Sequence, residues 1–245
     1  MKDICTLTTK NILLMKQKKV LIFDWDGTLL DSTEAGYIKV EKTLELLGLE
    51  IPPREFLKKY WGMRADKLVE LILQNTGNND VSYDNFCEVY DLINEEYPSI
   101  EKTYESLIRL KSLNYKVGLI TSRTSDSWLK TCKITNFDSN CFDFTQTATH
   151  FYHHKPSGRV FGPLLNWIKH HGFIPSETVY FGDTVDYDLK ATQNSIPPID
   201  FVGVVSGVNS RNDFLEAGVH PSRIINSCNE VPKFLNRLIQ QKVEV

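Results

Sequence analysis

The chain has 245 residues, enough to bury a sizeable core as one large domain or as one domain carrying an insertion. Hydrophobic residues at 41% and charged residues at 24% exclude an extensively disordered or collagen-like chain. A net charge of -3, with no dense Lys/Arg stripe, excludes nucleic acid as the main partner.

Residues 1–19 read as an N-terminal extension, because Met15 is followed by "KQKKVLIFD", a natural strand start. The "ILLM" within it is too short for the core of a secretory signal, and no run approaches the roughly 18 to 20 apolar residues of a membrane span. The continuously apolar "VLIF" (20–23) predicts a strand buried on both faces of a parallel sheet, and it runs straight into "DWDGT". From Thr33 to Tyr97 no strand-like run occurs. Apolar residues recur there at helical spacing (Tyr37, Ile38, Leu44, Leu47; Leu68, Leu71, Ile72; Phe86, Val89, Tyr90, Ile93), and breaks fall at Gly48, Pro52, Pro53, Gly62, Gly77 and Pro98. That pattern predicts about four helices inserted after the first strand, with Asp31 or Ser32 capping the first.

Strand-like runs return at 116–121, 178–183, 200–205 and, more weakly, 223–225, separated by helical patterns such as "VFGPLLNWIKHHG". Alternating strands and helices predict an α/β fold: a doubly wound, Rossmann-like parallel sheet (1–32 and 98–245) with an inserted α-helical cap (33–97). The five cysteines (Cys5, Cys87, Cys132, Cys141, Cys228) are odd in number and form no C-x-x-C pair, which predicts a reducing, cytoplasmic home.

In such sheets ligands bind beyond the carboxyl ends of the strands. Asp24 and Asp26 end the first strand, Thr121 and Ser122 the 116–121 run, and Asp183 the 178–183 run, with Asp186 and Asp188 just beyond; Lys155 precedes the helix leading to that run. Carboxylates, a hydroxyl and an ammonium together suit phosphoryl transfer, whose anionic group must be neutralised before an anionic nucleophile can approach. Paired aspartates suit magnesium, a hard cation. Asp24 is placed to attack phosphorus, and Asp26 to protonate the leaving oxygen and later deprotonate water, a task that predicts a proton held near neutral pH by the crowded site. A calcium loop is excluded, since its glycine belongs at the sixth position and its glutamate at the twelfth, whereas Gly27 is fourth and Ala35 twelfth.

"DWDGTLLDS", "LITS", "KP" and "GDTVDYD", in that order, resemble the four motifs of the haloacid dehalogenase superfamily, and the chain is similar to its phosphoglycolate phosphatase-like subgroup. The resemblance runs from about residue 20 and takes in "SRNDFLEAG" near the end. It implies Asp24 as nucleophile, Asp26 as acid/base, Thr121 (with Ser122) as phosphate binder and Lys155 as charge neutraliser. It implies Mg2+ held by Asp24, the Asp26 carbonyl and Asp183, with Asp188 or Asp186 supporting the metal or Lys155. Asp26 separates the chain from true dehalogenases, which lack it. The phosphonate-cleaving relatives use a cap lysine, and Lys58, Lys59 and Lys67 do not by themselves indicate that chemistry.

The expected activity is thus hydrolysis of a small phosphorylated metabolite through an aspartyl-phosphate. A β-phosphoglucomutase-like phosphomutase and a non-catalytic binding protein are the alternatives. Arg64 in "YWGMRADK" is a candidate grip for a substrate carboxylate or second phosphate. His150, His153 and His154 beside Lys155 read as a solvated loop near the site, and Trp25 as a packing residue. Phosphoglycolate, a sugar phosphate, a nucleotide and pyrophosphate all stay open as substrates, as does the oligomeric state.

Overall fold

The computed structural model describes residues 18–77, 80–94, 96–148 and 153–240. Most of the expected N-terminal extension, with Cys5, and His150 of the histidine loop lie outside the described residues. Strand β1 (Val20–Phe23) is wholly buried, because β2 (Lys116–Ile120) pairs with one edge and β4 (Thr178–Gly182) with the other, both parallel, with Val20 opposite Lys116 and Thr178. A strand enclosed in this way has no polar face, which accounts for its unbroken apolar run. The ladder already begins at Lys19, whose amide donates to the Glu177 carbonyl at 2.8 Å, and Lys18 is buried against Asp200 at 2.6 Å. Residues 18 and 19 are therefore held against the core just before β1.

Among the described residues the sheet has six strands in the order β3-β2-β1-β4-β5-β6, all parallel. β5 spans Asp200–Val204 and β6 Ile224–Ile225. β3 (Phe144–Gln146), at the edge, falls where the sequence reading has no strand: it is three residues long, half-buried and carries polar Thr145 and Gln146. Side chains alternate between the two faces. Leu21, Phe23, Leu119 and Phe181 face one helical layer, and Val20, Ile22, Ile120 and Tyr180 the other. On the first face they meet Leu107 and Leu110 of α5 (Glu101–Ser112). On the second they meet Leu164 and Ile168 of α6 (Gly162–His170). Each such fully buried aliphatic or aromatic side chain contributes about 1.5–3 kcal/mol. Trp25 packs as expected, edge-on to Trp128 and Phe137, in the first of these cores.

Between β1 and α5 stand four helices: α1 (Thr33–Leu46), α2 (Arg54–Tyr60), α3 (Ala65–Asn75) and α4 (Tyr83–Leu92). They enclose an apolar cluster of their own, including Tyr37, Leu44, Leu57, Ile72 and Phe86. Gly48 and Gly77 take the left-handed conformation just after α1 and α3, at φ +67° and +65°, as helix ends require. Ser32 is the residue that starts α1, as expected, but its hydroxyl makes no cap bond and turns to Asp26 instead. Among the described residues no helix is long and apolar enough to cross a membrane, and Cys87, Cys132, Cys141 and Cys228 are free thiols.

Candidate active site

Strand order reverses at β1, whose neighbours β2 and β4 lead away in opposite directions, and the crevice at its carboxyl end receives the candidate residues. The Asp24 amide extends the ladder by donating to the Phe181 carbonyl at 2.9 Å, which fixes the backbone of the first aspartate. The Trp25 carbonyl then accepts from the amides of Thr28, Leu29 and Leu30, closing a tight turn. Gly27 sits in that turn at φ +69°, and a Cβ there would collide with the Asp183 carboxylate. Gly207, from the loop after β5, presses on the same carboxylate from another side, so two glycine backbones form a cradle around Asp183. The loop is braced in turn: Ser206 Oγ donates to the Gly27 carbonyl at 2.9 Å and the Val208 amide to Asp183 Oδ2 at 2.9 Å.

Lys155 is buried at the centre. Its Nζ lies 2.9 Å from Asp24 Oδ1, 2.7 Å from Asp188 Oδ1 and 3.2 Å from the Tyr180 hydroxyl, which occupies the three donors of an ammonium. Asp188 belongs to a π-helical turn, Val185–Leu189, and its Oδ2 accepts from the amide and hydroxyl of Thr184 at 3.0 and 2.6 Å. Of the two carboxylates that the sequence left in competition, Asp188 is the one inside; Asp186 is exposed and paired with Lys190 at 2.5 Å.

Oxygens of Asp24, Asp183 and Asp188 lie within 4.8 Å of one another. Burial pushes the Asp24 carboxyl up to about 7, with Lys155 opposing and Asp188 adding to the rise. Burial and the charges of Asp188 and Asp24 raise Asp183 well above the usual range. Burial works against the Lys155 charge, but the neighbouring Asp188 and Asp24 raise its proton affinity overall. Three buried carboxylates against one ammonium leave an excess of negative charge that a cation would relieve. The all-oxygen donor set and the glycine-walled Asp183 fit a hard divalent ion such as Mg2+.

Asp26 differs from the sequence expectation. Arg123 donates Nε to its Oδ2 at 2.7 Å and Nη2 to its Oδ1 at 2.8 Å, while Ser32 Oγ donates to Oδ1 at 2.6 Å. Burial alone would raise the proton affinity of Asp26, but Arg123 and Ser32 hold the carboxyl below its ordinary value. In this arrangement Asp26 is the ionised carboxylate of an ion pair, not an acid poised near neutrality.

Thr121 is buried at the end of β2, its amide bonded to the Gln146 carbonyl at 3.0 Å and its Oγ1 accepting from the Arg123 amide at 3.1 Å. Ser122 Oγ reaches up to the Gly62 carbonyl of the cap at 3.2 Å. Gly62 has φ +100°, and a Cβ on it would lie 3.0 Å from the Tyr187 ring, so the cap backbone approaches the sheet closely here. Arg64 is not brought into the cluster. Its guanidinium, 43% exposed, forks onto Asp66, and its Nη1 lies 3.3 Å from His154 Nε2. The sequence reading missed Arg123, although it stands two residues after Thr121, where a cation so close to a strand-end hydroxyl is a visible signal. It also missed Tyr180, Thr184 and the 206–208 loop, whose roles depend on contacts distant in sequence.

The profile of a family described as haloacid dehalogenase-like hydrolase matches residues 21–204. The chain is 31% identical over 176 residues to a phosphoglycolate phosphatase of Aquifex aeolicus, covering 71% of this chain and 79% of that protein. It is 26% identical over 194 residues to the pyrophosphatase PpaX of Bacillus velezensis, covering 74% and 81% respectively. In fold it is similar to the crystal structure of a hydrolase from Pseudomonas syringae, with a TM-score of 0.68 and 21% identity over 90% of this chain and 99% of that one. With three-quarters of its length under one family profile and the strand-end residues of that fold gathered in one crevice, the chain belongs to the haloacid dehalogenase-like hydrolases.

Proposed function

We propose that the chain is a Mg2+-dependent phosphatase that hydrolyses a small phosphorylated metabolite through an aspartyl-phosphate on Asp24. The observation that carries this reading is the buried Lys155 ammonium 2.9 Å from Asp24 Oδ1 and tethered on its other side by Asp188. It offsets charge where an anionic phosphoryl group would meet an anionic nucleophile. Phosphatase names among the relatives support the same reading. Asp24 and Asp183 would hold Mg2+ together with the Asp26 main-chain carbonyl, and the ion would supply further positive charge to the phosphoryl oxygens.

In the first step an Asp24 carboxylate oxygen bonds to phosphorus, the ester P–O bond breaks, and the leaving oxygen takes a proton from Asp26. In the second, water attacks phosphorus, its proton passes to the Asp26 carboxylate, and the bond to Asp24 breaks to release phosphate. The Thr121 hydroxyl orients a phosphoryl oxygen, and Ser122 joins it only on releasing the proton it donates to the Gly62 carbonyl. Asp26 as held by Arg123 is suited to the second step. To serve in the first it must leave the guanidinium, and losing that cation raises its proton affinity. Asp188, with its oxygens engaged by Lys155, Tyr180 and Thr184, acts chiefly as the anchor of Lys155. The cap closes over the site and excludes water during transfer. Lys58, 3.9 Å from Asp213 of the core, and the Ser122 to Gly62 bond support that reading. The free thiols support a reducing, cytoplasmic home.

The deciding experiment is Mg2+-dependent phosphate release from a panel of phosphorylated metabolites by the natural chain and by Asp24→Asn. Release that disappears in the variant supports the reading. An isomeric sugar phosphate in place of free phosphate would instead identify a mutase, and no turnover of any compound would sink both.

A further inference from the structure

A cavity of about 270 Å³ opens beside Asp26, Ser122 and Arg123 and extends between the core and the cap helices. Its cap walls are apolar and rich in rings, with Trp61, Met63, Leu68, Ile72 and Phe86 among them. Among the residues lining it Arg123 is the one cation, and four of its five N–H donors are engaged by Asp26, Ser127 and Thr131. Two lining residues are acidic, and each already has a cation: Asp26 pairs with Arg123 and Asp91 lies 3.5 Å from Lys130. Arg64 stands outside this lining with its guanidinium on Asp66.

An anionic leaving group would therefore lose its water between apolar walls and two ion-paired carboxylates without gaining an unengaged cation, an unfavourable exchange. A ring would gain by burial against these walls, and a cavity of roughly 150 Å³ already holds benzene. Building on the phosphatase reading above, we infer that the preferred substrate is a phosphate monoester whose leaving group is an uncharged alcohol bearing an aromatic body. Glycolate and phosphate, the leaving groups implied by the relatives' names, lack such a body and carry charge.

The test compares 2-phenylethyl phosphate, 2-phosphoglycolate, pyrophosphate and acetyl phosphate with the full chain and Mg2+. The first two are both alkyl esters, so their ratio reports recognition rather than leaving-group reactivity. Acetyl phosphate asks little of the cavity and reports the phosphoryl site. We expect kcat/KM for the phenylethyl ester to exceed that for 2-phosphoglycolate by about tenfold or more. Leu68→Lys, which places a cation on the apolar wall, is expected to reduce that ratio by about tenfold. A ratio below tenfold in the natural chain, or a preference for pyrophosphate, with acetyl phosphate hydrolysed, would overturn the substrate class alone. Failure to hydrolyse acetyl phosphate or any ester would overturn the phosphatase reading and this inference with it. Because each ratio is taken within one protein, partial misfolding of the variant cancels, and the natural chain decides the matter if the variant does not fold.

Discussion

Arg123 grips Asp26 through two N–H bonds, at 2.7 and 2.8 Å, so the second aspartate of "DWDGT" meets a fixed cation at the end of the neighbouring strand. This pairing lowers the proton affinity of Asp26 despite its burial, and it therefore sets the pH at which the carboxylate can exchange a proton. Replacing Arg123 by Gln should raise the proton affinity of Asp26. The acidic limb of the rate profile, below which Asp26 is protonated and unable to act as base, should move to higher pH. Steady-state pH profiles of the two proteins check this, and superimposable profiles would remove Arg123 from the mechanism.

Lys155→Met should cost both activity and stability. The substitution keeps the volume but leaves Asp188 and Asp24 buried without their ammonium partner. Losing one member of a buried ion pair typically costs about 3–5 kcal/mol. Urea unfolding would measure it, and Lys155→Met with Asp188→Asn should recover part of the loss, because the double change removes one of the stranded charges. A Lys155→Met protein as stable as the natural one would contradict the buried geometry.

The metal-free protein should lose stability as pH rises toward neutrality. Asp24 has a raised proton affinity, to about 7 against an ordinary value of 3.8, so the folded state holds its proton more tightly than the unfolded chain does. The contribution is complete below the unfolded value and is lost as pH rises through about 7, with Asp183 acting in the same direction. Mg2+ needs the ionised carboxylates, so its binding should release protons in this window and reverse the loss. Thermal melts across pH 4 to 8, with and without Mg2+, and titration calorimetry in buffers of different ionisation enthalpy would show it. Flat melts and buffer-independent heats would count against the metal assignment.

Gly27→Ala should weaken both fold and metal binding. The residue has φ +69°, and the added methyl would run into the Asp183 carboxylate. Unfavourable backbone and displaced carboxylate together should cost about 1–3 kcal/mol. Mg2+ affinity should fall more than that of Gly48→Ala, which shares the left-handed backbone at φ +67° with open space around it. Equal effects at the two positions would show that backbone strain alone is at work.

Much of the architecture was legible because its physical cause is local. A strand between two partners needs an apolar run, and β1, β2, β4 and β5 each have one. β3 was not legible: an edge strand of three residues ending in Gln146, which bonds the Val160 carbonyl at 2.9 Å, carries no such run. Asp24, Thr121, Lys155 and Asp183 were legible as candidates because strand ends in a doubly wound sheet converge, and the structure brings Asp24, Lys155 and Asp188 into direct contact. The state of Asp26 was not, since it depends on a guanidinium 97 residues away whose reach depends on the fold. Choosing between Asp186 and Asp188 likewise required the π-helical turn that aims one inward and the other at Lys190. Arg64 looked like a substrate ligand because a guanidinium suits a carboxylate or phosphate, whereas in the structure Asp66, two residues along, takes its fork.

Ser32 begins the first cap helix, yet its hydroxyl belongs to Asp26. A lever results, with its short arm at that carboxylate and its long arm in α1: a tilt of α1 would either part the 2.6 Å bond or drag the carboxylate with it. On the mechanism proposed above, the timing of proton exchange would be tied to a mechanical event, and a molecule too large to let α1 settle would be refused even if its phosphate fitted.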